Sequence, residues 1–172
     1  MKRKVNAFDY AGEICKAMQK GVLLTTACNG QVNTMTIGWG SIGVEWGKPL
    51  FTAYVRPCRY THEMIEATGE FTVNIPMGNV KNILGFCGTK SGRDTDKIAE
   101  LGLTLEEPAN ISVPGIKELP LTLECKVVYK QDQVLDRLQD DLRDRYYPDR
   151  NDTGDYHTAY YAEIVSAYLI ED

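Results

Sequence analysis

Arg56, Arg59 and Thr61 crowd into one short stretch, directly after the apolar run Leu50 to Val55. Arginine offers several donors in a rigid fork that matches phosphate oxygens. Thr61 adds a hydroxyl where a helix can start, and free backbone N–H groups there favour an anion. Upstream, Asn33, Thr34, Met35 and Thr36 combine backbone groups with short polar side chains. Such a strand end suits the edge of a flat polar ring. A blander reading stands beside each. The threonines are also good strand formers, and Thr61 is also a plain helix cap. Arg56 can face away, because side chains alternate along a strand. Cys58 reads as a small buried filler ahead of a ligand contact.

A second polar cluster runs through Lys90, Ser91, Gly92, Arg93 and Asp94 to Lys97. Gly92 permits an unusual backbone conformation, and Asp94 is a candidate cap for the next helix. Ser91 and Arg93 rank ahead of Lys97 as phosphate ligands. Lys97 reads equally as a wet helix surface. His157 follows a turn-rich stretch near the last strand, and it reads equally as a functional imidazole and as a surface residue. His62 reads as helix surface or as support for the site.

The chain has 172 residues, enough for one domain with a sizeable core. The net charge of -5 and the lack of a basic stripe argue against a nucleic-acid binder. No apolar run has the length of a membrane span or a signal peptide, so a cytoplasmic, membrane-free protein is expected. Cys15, Cys28, Cys58, Cys87 and Cys125 form no CxxC pair and read as reduced, mostly buried thiols. With only two histidines, no metal site is expected. A Rossmann glycine fingerprint and a phosphate-loop motif are both missing.

The elements that must carry these residues follow from pattern. A short amphipathic helix spans Tyr10 to Lys20 and stops at Gly21. Val22 to Ala27 and Val32 to Trp39 flank Asn29-Gly30, a strong hairpin turn. Trp39 reads as core ahead of a cover over the site. Further strands are expected at Leu50 to Val55, Glu70 to Ile75, Leu121 to Lys130 and Tyr156 to Leu169. Helices are expected at Tyr60 to Thr68, Asn79 to Phe86 and Asp94 to Leu101. The charged, periodic stretch 132–147 reads as a helix inserted between two strands, and Pro108 to Leu119 as a loop or interrupted strand. Hairpins joined by short helices argue for a mainly β fold closed as an antiparallel barrel.

Taken in order, NTMTIGW at Asn33, VRPCRYTHEMI at Val55, GEFTVNIP at Gly69, SGRDTDK at Ser91, GDYHT at Gly154 and AEIVSAYL at Ala162 resemble the flavin reductase-like proteins, especially their flavoredoxin-like branch. The resemblance runs from about Tyr10 to the C-terminus. It implies a split antiparallel β-barrel of Greek-key-like order with short peripheral helices, as one FMN-binding domain over residues 1–172. It implies FMN as cofactor in a groove near the interface of a homodimer. Asn33, Thr34, Met35 and Thr36 would lie along the flavin. Arg56, Cys58, Arg59, Thr61, Ser91, Arg93 and Lys97 would lie near its phosphate or ribityl side, and His157 beside its reactive face. Where the family has Gly-Asp-His, this chain has Gly154-Asp155-Tyr156-His157, so either Tyr156 or His157 holds the histidine's place. Tyr146, Tyr147, Tyr156, Tyr160 and Tyr161 would supply a lid or packing around that turn.

The implied function is an FMN-dependent oxidoreductase, with NADH or NADPH as electron donor and a second small-molecule or protein acceptor. Hydride transfer asks mainly for positioning, which fits the lack of a catalytic dyad. The alternatives are a flavoredoxin-like electron-transfer protein with a protein redox partner, and a non-enzymatic FMN-binding module.

Overall fold

Three positive-φ turns organise the first third of the chain. The computed structural model describes residues 1–148 and 156–171. Strand β1 (Lys2–Lys4) and a 3-10 turn at Ala7–Tyr10 lead into α1 (Ala11–Met18), which buries Ile14 and Met18. Gly21, at φ 110°, reverses the chain into β2 (Val22–Cys28). Asn29 and Gly30, at φ 51° and 77°, then make the tight turn into β3 (Gln31–Ile37). A second hairpin, absent from the sequence expectation, follows at once. It joins β4 (Gly40–Glu45) to β5 (Lys48–Val55) through Trp46 and Gly47, at φ 52° and 69°. Its signal was hidden because tryptophan stands where asparagine or aspartate normally takes the positive φ.

The chain continues through α2 (Tyr60–Thr68), β6 (Glu70–Ile75), α3 (Lys81–Thr89) and α4 (Lys97–Leu101). A small ribbon pairs β7 (Leu105–Glu106) with β8 (Gly115–Ile116). The long strands β9 (Leu121–Asp132) and β10 (Thr158–Ile170) close the order. The expected inserted helix is shorter than its sequence pattern. Only Asp140–Tyr146 is helical, as α5, after a 3-10 turn at Leu135–Arg137. Val134 and Leu142, two of the apolar residues in that pattern, are 49% and 38% exposed, so little apolar burial supports a longer helix.

All pairings are antiparallel, in the order β3-β2-β6-β9-β10-β5-β4. Strand β10 divides the sheet. Thr158 to Glu163 pair with β5, whereas Tyr168 to Ile170 pair with β1. A register shift against β9 at Ile164/Ser166 falls between these neighbours and bends the strand there. The fold is therefore mainly β with short peripheral helices. Closure into a barrel is not seen: among the described residues, the end strands β3 and β4 do not pair with each other. No described helix is long and apolar enough to cross a membrane.

The main core gathers Phe51, Phe71, Leu121, Leu123 and Tyr160 against α1. A second core, around Leu23, Cys87, Leu103, Ile116 and Leu119, lies beneath α3 and α4. Strand β2 serves both, with Leu24 in the first core and Leu23 in the second. A buried polar row crosses the sheet between them. Thr25 Oγ1 lies 3.0 Å from Thr34 Oγ1 and donates to Asn74 Oδ1 at 2.7 Å, and Asn74 Nδ2 donates to Thr122 Oγ1 at 3.3 Å. A buried polar group left unpaired costs about 1–3 kcal/mol, so this row penalises any slip of the strand register.

Candidate functional site

The second core presses the C-terminal end of α3 and the start of α4 against β3, and α2 begins beside them. Between these pieces lies a cavity of about 230 Å³, walled by Asn33, Met35 and Thr36 of β3, by Cys58 to Thr61, by the end of α3 and by the loop 90–92. Lys97, in the first turn of α4, reaches into its wall and is only 4% exposed. Its Nζ donates to the Thr34 carbonyl at 2.7 Å and to the Cys87 carbonyl at 3.2 Å. Burial pushes this ammonium below the usual lysine range; the neighbouring Cys87 opposes the shift, and the charge of Arg59 adds to it. Among the described residues, no carboxylate pairs with Lys97. A buried cation without an acidic partner is costly unless an anion joins it.

Asn33 and Thr61 hold the opposite wall. Asn33 Nδ2 donates to Thr61 Oγ1 at 3.0 Å, joining β3 to the first turn of α2. Thr61 therefore does not cap its helix; Arg59 occupies the N-cap, without a side-chain bond. Arg59, Tyr60 and Thr61 all face the cavity, so the positive end of α2 faces it too. Gly92 closes the rim. Its φ is not left-handed, contrary to the expected reason for a glycine here. A Cβ at Gly92 would instead sit 2.1 Å from Asn33 Oδ1 and 3.0 Å from Tyr60 Cδ1. Close approach, and not backbone freedom, demands the glycine.

A second cavity of about 290 Å³ adjoins the first and shares Met35, Thr36 and Arg59 with it. Its remaining lining includes Trp39, Tyr54, Arg56, Tyr146 and His157. Trp39 is 41% exposed and is not the core residue expected. Its ring meets Tyr146 edge-on at 5.2 Å and His157 at 5.0 Å. Arg56 donates to the Tyr146 carbonyl at 2.8 Å and lies over the Tyr147 ring. His157 is buried, which removes the surface reading, and its Nδ1 lies 2.7 Å from the Tyr147 hydroxyl. Together the two cavities fall within the usual range of about 300–1,000 Å³ for small-ligand sites.

The sequence profile of the flavin reductase like domain matches residues 15–172. The chain belongs to the flavin reductase-like family. It is 36% identical, over 96 residues, to an uncharacterised protein of Archaeoglobus fulgidus; the match covers 56% of this chain and 54% of that one, so the chain spans about half the length of that relative. It is similar to the crystal structure of a flavoredoxin from Methanosarcina acetivorans, with a TM-score of 0.66, 28% identity, and 88% and 68% of the two chains covered. An FMN-binding domain of a flavin reductases-like enzyme from Shewanella baltica shares the fold, with a TM-score of 0.66, 20% identity and coverage of 98% and 77%.

Within this flavin reductase-like chain, the residues expected to form a site divide three ways. Asn33, Met35, Thr36, Cys58, Arg59, Thr61, Ser91 and Lys97 meet on the first cavity. Cys58 is exposed there and is not a buried filler. Arg56 and His157 belong to the second cavity. Thr34 and Arg93 line neither. The Thr34 hydroxyl is spent in the buried polar row, and only its carbonyl reaches the site, through Lys97. Arg93 instead braces the loop, donating to the Cys58 carbonyl at 3.1 Å and to Glu63 at 3.1 Å. The helix cap is Asp96, not Asp94: its carboxylate accepts the Ala99 N–H at 3.0 Å. Sequence reasoning missed Gly88, Thr89 and Tyr60 on the first cavity, since nothing in their types marks them as ligands. Of the late motif, Gly154 and Asp155 lie outside the described residues.

Proposed function

We propose that this chain is an FMN-dependent oxidoreductase of the flavin reductase type, with NADH or NADPH as electron donor. The observation that carries the reading is Lys97: a buried ammonium fixed by two carbonyls, without an acidic partner among the described residues, on the wall of a cavity. The donor set fits a phosphate. Lys97, Arg59, the Thr61 and Ser91 hydroxyls and the start of α2 all border one space. Asn33, Met35 and Thr36 continue along β3 toward the second cavity, as a flat polar ring would require.

When bound, FMN supplies the hydride-accepting and one-electron chemistry that amino-acid side chains lack. The chain's own residues bind, orient and shield. Arg59 borders both cavities and so joins phosphate binding to the region where a donor would lie. Trp39 and Tyr146 give the second cavity an aromatic wall that limits water. Arg56 and His157 supply polar groups to orient a donor there. In this reading the sheet works as a split barrel and two copies pair as a homodimer, with a solution mass near twice 19.3 kDa.

The likeness to a flavoredoxin at 28% identity favours one second reading, an electron carrier with a protein redox partner. Anaerobic stopped-flow reduction of the FMN-loaded protein separates the two. Fast reduction by NADH or NADPH supports the reductase. Bound FMN that resists both nucleotides, but accepts electrons from a reduced ferredoxin, supports the carrier. A protein that does not bind FMN contradicts both.

A further inference from the structure

Arg93 lines neither cavity, yet it joins two walls of the first one. Its Nη1 donates to the Cys58 carbonyl at 3.1 Å and its Nη2 to Glu63 Oε2 at 3.1 Å, so the segment that opens α2 is held at two points. The same guanidinium lies over the Tyr60 ring, 5.2 Å from its centre. The Tyr60 hydroxyl donates to Gln31 Oε1 at 2.8 Å, which ties that ring to β3. On the loop side, the Arg93 N–H donates to Ser91 Oγ at 3.2 Å. The Asp94 and Thr95 N–H groups both donate to the Ser91 carbonyl, at 3.2 Å and 3.1 Å. One residue thus fastens a compact turn around Ser91 to the start of α2.

The seam beneath this fastening has no spare room. A Cβ at Gly92 would lie 2.1 Å from Asn33 Oδ1 and 3.0 Å from Tyr60 Cδ1. A gap that excludes a methyl group also excludes a phosphate. Lys97, Thr61 and Ser91 mark one end of the first cavity, and β3 leads from there to the second cavity at the other. A flavin that ends in a phosphate is complete inside this space. A flavin dinucleotide must carry its second phosphate and its nucleoside onward, between the loop 90–92 and α2.

We infer that Arg93 is a specificity-determining residue that, from outside the cavity, clamps the loop 90–92 to α2 and so selects a flavin ending in a phosphate monoester over a flavin dinucleotide. The inference rests on the proposed function, which supplies the flavin and its direction along β3. The two ligand classes then meet different costs. The monoester uses the closed seam as it stands. The dinucleotide must part the seam, and the free energy of the broken clamp is subtracted from its binding. The Arg93 and Glu63 side chains are 45% and 66% exposed, so their ion pair alone contributes little. The bond to the Cys58 carbonyl and the contact with the Tyr60 ring supply the rest.

The test is a paired titration of the full chain with FMN and with FAD, for wild type, Arg93→Ala and Glu63→Gln, beside amide hydrogen exchange of the flavin-free proteins. Wild type is expected to bind FMN more tightly than FAD. In Arg93→Ala, FAD affinity should rise about three- to tenfold, the worth of the clamp, while FMN affinity does not rise. Glu63→Gln keeps the carbonyl bond and should shift the preference in the same direction by less; it also serves should Arg93→Ala not fold. The Asp94 and Thr95 amides should exchange faster in both variants. A residue that only supports the fold would lower both affinities together, so an unchanged ratio of FMN to FAD affinity in the variants overturns the inference, as does a wild type indifferent to the two flavins. The exchange measurement keeps the two failures apart. A chain that binds neither flavin contradicts the proposed function, whereas unchanged exchange at Asp94 and Thr95 removes the clamp itself.

Discussion

The ammonium of Lys97 donates to the carbonyl of Thr34 at 2.7 Å, fastening the first turn of α4 to the middle of β3. A second bond, to the Cys87 carbonyl, ties in the end of α3. One cation thus joins three elements and still has a third proton to offer. Its position is set by the fold before any ligand arrives, so a phosphate meets a charge whose desolvation has already been met by folding.

That arrangement has a pH signature. The folded pKa of Lys97 lies below its unfolded value, chiefly through burial. Between the two values the unfolded chain holds more protons. The cost of burying the ammonium is fully present below the folded pKa and is relieved as pH rises from the folded to the unfolded value, so this residue makes stability rise across that window. FMN affinity should fall across the same window, because the phosphate needs the charged form. Riboflavin affinity should not. Denaturant unfolding and flavin titrations at stepped alkaline pH check both slopes, and Lys97→Met should abolish Lys97's contribution to each.

Gly92→Ala should cost about 1–3 kcal/mol of stability, the usual range for overpacking. Its methyl group would fall 2.1 Å from Asn33 Oδ1, so Asn33 must move and its bond to Thr61 is strained. Because Thr61 borders the first cavity, FMN affinity should drop as well. Urea unfolding and a flavin titration of the same variant measure the two losses. An unchanged midpoint would show that the loop yields without disturbing Asn33.

The two arginines should separate cleanly. Arg59 borders both cavities, whereas Arg56 borders only the second and bonds to the Tyr146 carbonyl. Arg59→Ala should weaken FMN about 10-fold or more, in line with the about 1.5–3 kcal/mol worth of a hydrogen bond to a charged group. Arg56→Ala should leave FMN affinity within about threefold of wild type, on the same scale. Its effect should fall on the concentration of nucleotide needed for half-maximal reduction. Equal losses of FMN affinity in both variants would contradict this division.

Much of this was legible in the sequence, for identifiable reasons. The Asn29-Gly30 hairpin, α2 and β6 follow from turn chemistry and periodicity, and the structure has them within two residues. The β4–β5 hairpin was not legible, because Trp46 fills a turn position that carries no warning. The role of Lys97 was legible only in part, as a phosphate contact weighed evenly against a helix surface. Its spacing looks like a wet helix face, and only the second core, which presses α4 onto β3, turns it inward. Arg93 shows the reverse: its type suggests a ligand, but Glu63 and the Cys58 carbonyl claim its guanidinium. Residue type marked where charge gathers, and tertiary packing decided which charge faces the cavity.

The most direct measurement of the central claim is a paired titration of wild type and Lys97→Met with FMN and with riboflavin, followed by flavin fluorescence at near-neutral pH. The account predicts that wild type prefers FMN strongly, and that Lys97→Met loses about 10- to 100-fold of FMN affinity while riboflavin binding barely changes. Equal affinity of wild type for the two flavins, or equal losses for both in the variant, would contradict a phosphate bound at Lys97.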